Sequence, residues 1–230
     1  MGETHRLGNP PIDINLRRSA RARRLSLRVS RLDGRVTLTL PRGVSEREGL
    51  KFARAREEWL RGHLAGIGAG RVARLGGSVP FEGRELPVRA GAVRGSRLED
   101  GVLWLPDQPE RAGARIGAFL KTAARDRLAA RSDHHAAALG RTYGRITLRD
   151  TRSRWGSCSS TGDLMYSWRL VMAPPEVLDY VAAHEVAHLV EMNHSPAFWA
   201  VVARLLPDHA AARAWLRDNG SALHQVRFEP

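Results

Sequence analysis

The residues best suited to chemistry sit within one stretch, His184-Glu185-Val186-Ala187-His188-Leu189-Val190-Glu191-Met192-Asn193-His194. Residues four apart share one face of a helix, so His184 and His188 can turn both imidazoles towards one ion. Glu185 lies about 100° further round, outside that ligand pair but within reach of a water held by the ion. A catalytic zinc takes three protein ligands and keeps a fourth position for water. The metal acidifies the water and a carboxylate takes its proton. The HExxH spacing therefore supplies two ligands and a general base. His194 is the candidate third ligand. On an unbroken helix it would lie about 600° past His188, on the far side of the cylinder. The helix must end or bend first, and Asn193 is expected to close it in the left-handed conformation. Ser195-Pro196 then reads as the N-cap and first residue of a new helix.

A surface helix carrying histidines by chance is the plainer alternative. Leu178, Ala182, Val186, Leu189 and Val190 form an apolar stripe, and Val177 and Val181 flank the histidine pair. The helix is apolar on both sides, and histidines in such surroundings need a partner.

The elements that must hold this stretch can be read outward from it. Pro174-Pro175 and Glu176 suit a helix start. Before them, Leu164, Tyr166, Trp168 and Leu170 alternate as a strand, and Ser159 to Asp163 is turn chemistry. Trp155 to Cys158 would form the other arm of this hairpin, preceded by Ile146, Leu148 and the cluster Arg149, Arg152 and Arg154. After the histidines, Phe198, Trp199, Val202, Leu205 and Leu206 line a helix expected to pack under the site. A last helix is expected from Pro207-Asp208 to about 218, and a short strand within 223–228.

Further upstream, Ile116, Leu120, Ala124 and Leu128 repeat every fourth residue and predict a helix over about 110–139. The adjacent His134 and His135 cannot share its buried face and are expected at the surface. Residues 78–106 read as hairpins turning at Gly83 and at Asp100-Gly101, with Val79 and Phe81 facing Leu86 and Val88. Ser45-Glu46 opens a helix expected to reach Leu64, and the glycine-rich 62–77 reads as a connector. Leu25, Leu27 and Val29 alternate, and a turn at Asp33-Gly34 would pair Val29 with Leu38 and Leu27 with Leu40. Arg17, Arg18, Arg21, Arg23 and Arg24 run into that hairpin. Pro106 to Pro109 is taken as a boundary. The expected organisation is α+β, with a basic β-rich region 1–108 and a C-terminal domain 109–230 built on the HExxH helix.

The chain has 230 residues and a net charge of +13, and all its basic residues except Lys51 and Lys121 are arginine. The charge points to an anionic partner, nucleotide or nucleic acid, or equally to a composition drifted from lysine to arginine. No run of about 18 apolar residues suggests a membrane span. The N-terminus lacks an apolar secretory core, and the single Cys158 excludes an internal disulfide. Both fit a cytoplasmic protein. Cys158 itself is read mainly as a packing residue.

Arg152-Ser153-Arg154-Trp155-Gly156-Ser157-Cys158-Ser159, Trp168-Arg169-Leu170, Ala173-Pro174-Pro175, the HExxH stretch, and Asn193-His194-Ser195 with Phe198-Trp199 resemble the YgjP-like zinc metallopeptidase family. The likeness is strongest over about 145–206. It implies a zincin-like C-terminal part, zinc as the ion, His184, His188 and His194 as its ligands, and Glu185 as the catalytic glutamate. The motif is also similar to those of metzincins and SprT-like proteases, but Glu191 stands where metzincins carry glycine.

Three functions follow as expectations. The first is a zinc peptidase in which Glu185 activates the zinc-held water, with Arg152, Arg154 and Trp155 as candidate substrate contacts. The second is a nucleotide phosphohydrolase that neutralises phosphate with Arg149, Arg152 and Arg154. The third is a nucleic-acid-binding module, or a protease recruited to DNA, led by the basic N-terminal region.

Overall fold

A computed structural model describes residues 4–30, 34–65 and 70–228. The chain separates into two compact units, Met1–Gly70 and Arg71–Pro230. The expected boundary at 106–109 is not where it divides. The division falls in the glycine-rich connector, because the hairpins at 78–105 belong to the second core. Val79, Phe81, Leu86, Val88, Leu103 and Leu105 are buried together with Ile116, Leu120 and Leu128 of the long helix.

The first unit holds strands β1 (Thr4–Leu7), β2 (Ile12–Arg18), β3 (Ser26–Val29) and β4 (Val36–Leu40), in the order β1-β2-β4-β3. Ile14, Val36, Leu38 and Leu40 bury one face against Ala53 and Leu60. Helices α1 (Glu46–Arg54) and α2 (Glu57–Ala65) replace the single helix expected over this stretch. Ser45 caps α1 as expected, its hydroxyl accepting from the Glu48 amide while Glu48 bonds back to the Ser45 amide. The β3–β4 register also differs from expectation. Leu27 pairs with Leu38 and Val29 with Val36, because Ser30 still bonds Arg35 and the connection is longer than two residues. Asp33, half of the expected turn, lies outside the described residues. The shift is two residues, so every side chain keeps its face and apolar still meets apolar. Arg18, one of the arginine run, donates to the Val44 carbonyl at 3.0 Å and to Glu46 at 3.3 Å.

The second unit repeats the same strand order in β5 (Ser78–Phe81), β6 (Arg84–Ala90), β7 (Arg97–Glu99) and β8 (Val102–Leu105), arranged β5-β6-β8-β7. Both hairpins turn on two residues of positive φ, Glu82-Gly83 and Asp100-Gly101, the geometry that matches strand twist. Val79 pairs with Leu86 as expected, whereas Phe81 faces Arg84. Helix α3 (Pro109–Ala138) runs for thirty residues and buries Ile116, Leu120, Ala124 and Leu128 completely. His134 is exposed, but His135 is 1% exposed, against the expectation of a surface pair. A partner on another element, described below, explains its burial.

A three-stranded sheet follows, β9 (Ile146–Arg149), β10 (Gly156–Cys158) and β11 (Leu164–Ser167), in the order β10-β11-β9. β10 pairs with β11 antiparallel and lies at the edge. The strand expected to continue through Leu170 stops at Ser167. Trp168–Met172 is a 3-10 turn in which all five residues are buried. A one-faced strand cannot bury consecutive side chains, whereas a tight turn packed on every side can. Pro174 and Pro175 then start α4 (Pro175–Ala187), followed by α5 (Pro196–Leu205) and α6 (His209–Leu223). α6 runs past the expected end near 218, and the tail contributes one bridge, Val72 with Arg227. Among the described residues no helix is long and apolar enough to cross a membrane.

Candidate metal centre

α4 is apolar on nearly every side, with Val177, Leu178, Val181, Ala182, Ala183, Val186 and Ala187 buried. It therefore lies in the core, with Glu185 buried and His184 half-buried among these apolar residues. The helix ends at His188, which keeps right-handed angles (φ −65°, ψ −14°). Asn193 is not left-handed, so the chain turns earlier than expected and by another route. Ser195 caps α5, accepting from the Phe198 amide at 3.4 Å. His194 is returned to the helix by this turn.

The ligand-type atoms of His184, His188 and His194 lie within 4.8 Å of one another. The Nε2 atoms of His184 and His194 are 3.0 Å apart. Tetrahedral zinc with Zn–N bonds of about 2.0–2.1 Å needs neighbouring nitrogens at roughly 3.3 Å. His188 donates from Nδ1 to the Glu191 carbonyl at 3.0 Å, which leaves its Nε2 lone pair for the centre. The Nδ1 of His184 is buried without a hydrogen-bond partner among the described residues. Burial, together with the neighbouring His188, His194 and Arg213, pushes the His184 pKa down to about 4. Burial also lowers that of His188, although the Glu191 carbonyl opposes it. Burial thus favours the neutral, metal-binding form of the His184 and His188 imidazoles. Three imidazole nitrogens converging on one point fit a divalent metal that accepts nitrogen ligands.

Phe198, fully buried, forms the floor, with its ring centroid 4.9, 4.5 and 4.8 Å from those of His184, His188 and His194. Trp199 stands beside it, 5.8 Å from His184 and 6.0 Å from His194.

Glu185 is 6% exposed and lies against the first residue of β10. A Cβ on Gly156 would sit 2.5 Å from Glu185 Oε1 and 2.6 Å from its Cγ. Only glycine lets the edge strand approach this closely. Burial raises the Glu185 pKa to about 8, and the nearby Arg154 cation works in the opposite direction. A carboxyl held between these influences can both take and return a proton near neutral pH.

The expected substrate contacts separate. Arg154 is exposed and its charge reaches Glu185. Arg152 is exposed and its charge acts on Asp150. Arg149 ends β9 at the surface. Trp155 is half-buried, its ring 4.9 Å from that of His224 and close against Gly220 of α6. Cys158 on β10 stays outside the three-histidine group, and burial pushes its thiol up to about 11, ahead of the charges of Glu185 and Asp163.

Several residues escaped the sequence reading. Gly156 is one, although its place in Trp-Gly-Ser-Cys was visible. Arg169 is another. It is 8% exposed, holds Asp150 at 2.6 and 3.0 Å, and donates to the carbonyls of Leu223 and Val226. It thereby ties the chain end to the segment that carries Arg152, Arg154 and Trp155. An arginine within an apolar Trp-Arg-Leu-Val-Met run was the available signal.

The YgjP-like metallopeptidase domain model matches residues 23–219. A search of curated proteins finds no match. Among solved structures, the chain is similar to the metallopeptidase zymogen abylysin of Pyrococcus abyssi, with 22% identity and a TM-score of 0.36 over 40% of this chain and 92% of the other. The family match spans most of the length, and the chain belongs to the YgjP-like metallopeptidase family.

Proposed function

We propose that this protein is a zinc-dependent peptidase in which Glu185 is the general base and His184, His188 and His194 hold the metal. The observation that carries the reading is the convergence of three imidazoles beside one buried carboxyl. Bound there, zinc supplies Lewis-acid chemistry to water and to the scissile carbonyl. Glu185 takes the proton from the attacking water and passes it to the departing amine nitrogen. Arg154, whose charge acts on Glu185, is the candidate to stabilise the negative carbonyl oxygen of the transition state. The edge strand β10, which starts against Glu185, offers its free side to an extended peptide as an added strand.

Glu185→Gln tests this directly. Hydrolysis of an unfolded protein is expected to fall by about 1000-fold, with zinc content unchanged. Equal hydrolysis by parent and variant would refute the reading.

One observation favours a second reading. Arg145, Arg149 and Arg154 line a cavity of about 600 Å³ together with residues of the three-stranded sheet. A nucleotide phosphate fits such a lining, and turnover of nucleoside triphosphates that drops in Arg149→Ala and Arg154→Ala would support a phosphohydrolase. A nucleic-acid role, with or without proteolysis, rests on the +13 charge alone.

A further inference from the structure

α6 brings a second guanidinium to the centre, from a part of the chain the proposed mechanism does not use. His209, in its first turn, donates from Nδ1 to the Leu206 carbonyl at 3.1 Å. Its ring lies near-parallel to those of Tyr180 and Trp199, with centroids 6.3 and 6.0 Å away and planes within 16° and 19°. Tyr180 lies one helical turn before His184, and their ring centroids are 5.9 Å apart. Arg213 follows His209 by one turn and lays its guanidinium on Trp199, 4.5 Å from the ring. Trp199 is the same ring that borders His184 and His194.

Arg213 is exposed and makes no ion pair among the described residues. Contact with the ring restricts the guanidinium, so a carboxylate can meet it with less ordering cost than a free arginine demands. Arg213 thus meets the centre through Trp199, the ring shared with His184 and His194.

We infer that Arg213 is a specificity-determining residue of this site, its guanidinium on Trp199 recognising a carboxylate of the peptide substrate. The inference rests on the peptidase reading. The carboxylate is either an acidic side chain near the scissile bond or the C-terminus of the peptide. Since Arg213 faces solvent, the preference is modest, about fivefold, and weakens as salt is raised.

The test uses zinc-loaded full-length parent, Arg213→Ala, Arg213→Lys and Glu185→Gln with a synthetic peptide library made with free and with amidated C-termini. In the parent, an enrichment of about fivefold for Asp or Glu at one fixed distance from the cut identifies the side-chain source. A fixed distance from a free C-terminus, with cleavage about fivefold slower after amidation, identifies the terminal source. Arg213→Ala is expected to lose the preference through KM, as acidic peptides slow to the rate of neutral ones, and Arg213→Lys to keep part of it. The same preference in Arg213→Ala, or none in the parent, overturns the inference. Failure of the peptidase reading looks different, since Glu185→Gln then cuts as the parent does, or the parent leaves the library whole. In either of those cases recognition is read by calorimetry with N-acetyl-tetraalanine as free acid and as amide, and with an amidated Glu-containing analogue. Tighter binding of the carboxylate forms by the parent alone supports the inference, and equal binding of all three overturns it.

Discussion

Helix α4 meets two polar clusters that contain histidine, and they differ in what their nitrogens are doing. On one side, His184 and His188 join His194 around a common point. On the other, about 140–180° round the helix, Asp179 accepts from Arg131 at 2.6 and 2.7 Å and from His135 Nε2 at 2.6 Å. In each cluster one buried ring nitrogen has no partner, Nδ1 of His184 and Nδ1 of His135. The difference lies in the other nitrogen. That of His135 is spent on a carboxylate that also neutralises an arginine, so the cluster is closed. That of His184 faces another imidazole, and no carboxylate answers it. Residue type does not separate a structural histidine from a ligand. The partner of the second nitrogen does.

This comparison can be broken in three places. His188→Ala should do the most. On the proposed assignment it removes a ligand, which exceeds the roughly 10–100-fold affinity loss typical of changes behind a ligand, and metal-dependent hydrolysis should fall below detection. Titration with zinc, read by a chromophoric chelator, checks it. Gly156→Ala comes next. The added methyl has no room beside Glu185, and a carboxylate displaced by about 1 Å costs roughly 100-fold in kcat, with zinc retained. Hydrolysis and bound zinc measured on one preparation separate the two effects.

Asp179→Asn should act on stability instead. Burial raises the Asp179 pKa, but the bonds from His135 and Arg131 outweigh burial and hold it below the usual carboxylate range. A depressed folded pKa contributes stability above the unfolded value of about 3.9, and that stability is lost as pH falls towards the folded value. The variant should be about 2 kcal/mol less stable at neutral pH, given that Arg131 keeps some solvent. Its deficit should shrink as acid removes the same contribution from the parent. Urea unfolding from pH 7 down to pH 3 reads both.

How much was legible follows from the same logic. The HExxH spacing, the need for a turn before His194, the capping by Ser45 and the i+4 repeat of α3 are local, and each was readable from a few neighbouring residues. The β5–β6 and β7–β8 turns were readable from Gly83 and Asp100-Gly101, residues that favour positive φ, whereas the positive φ of Glu82 was not. What failed to show was decided at a distance. His135 is buried because Asp179 lies 44 residues away in sequence to receive it. The strand through Leu170 gave way because Arg169 reaches carbonyls 54 and 57 residues on. The division at Gly70 rather than near 108 reflects which core the hairpins share, and periodicity does not encode that.

The most direct measurement is zinc per chain in the purified parent, His188→Ala and Asp179→Asn, by elemental analysis after dialysis. One equivalent in the parent and in Asp179→Asn, with none in His188→Ala, is the predicted result. Zinc kept by His188→Ala, or lost from a folded Asp179→Asn, would contradict the assignment of the two clusters.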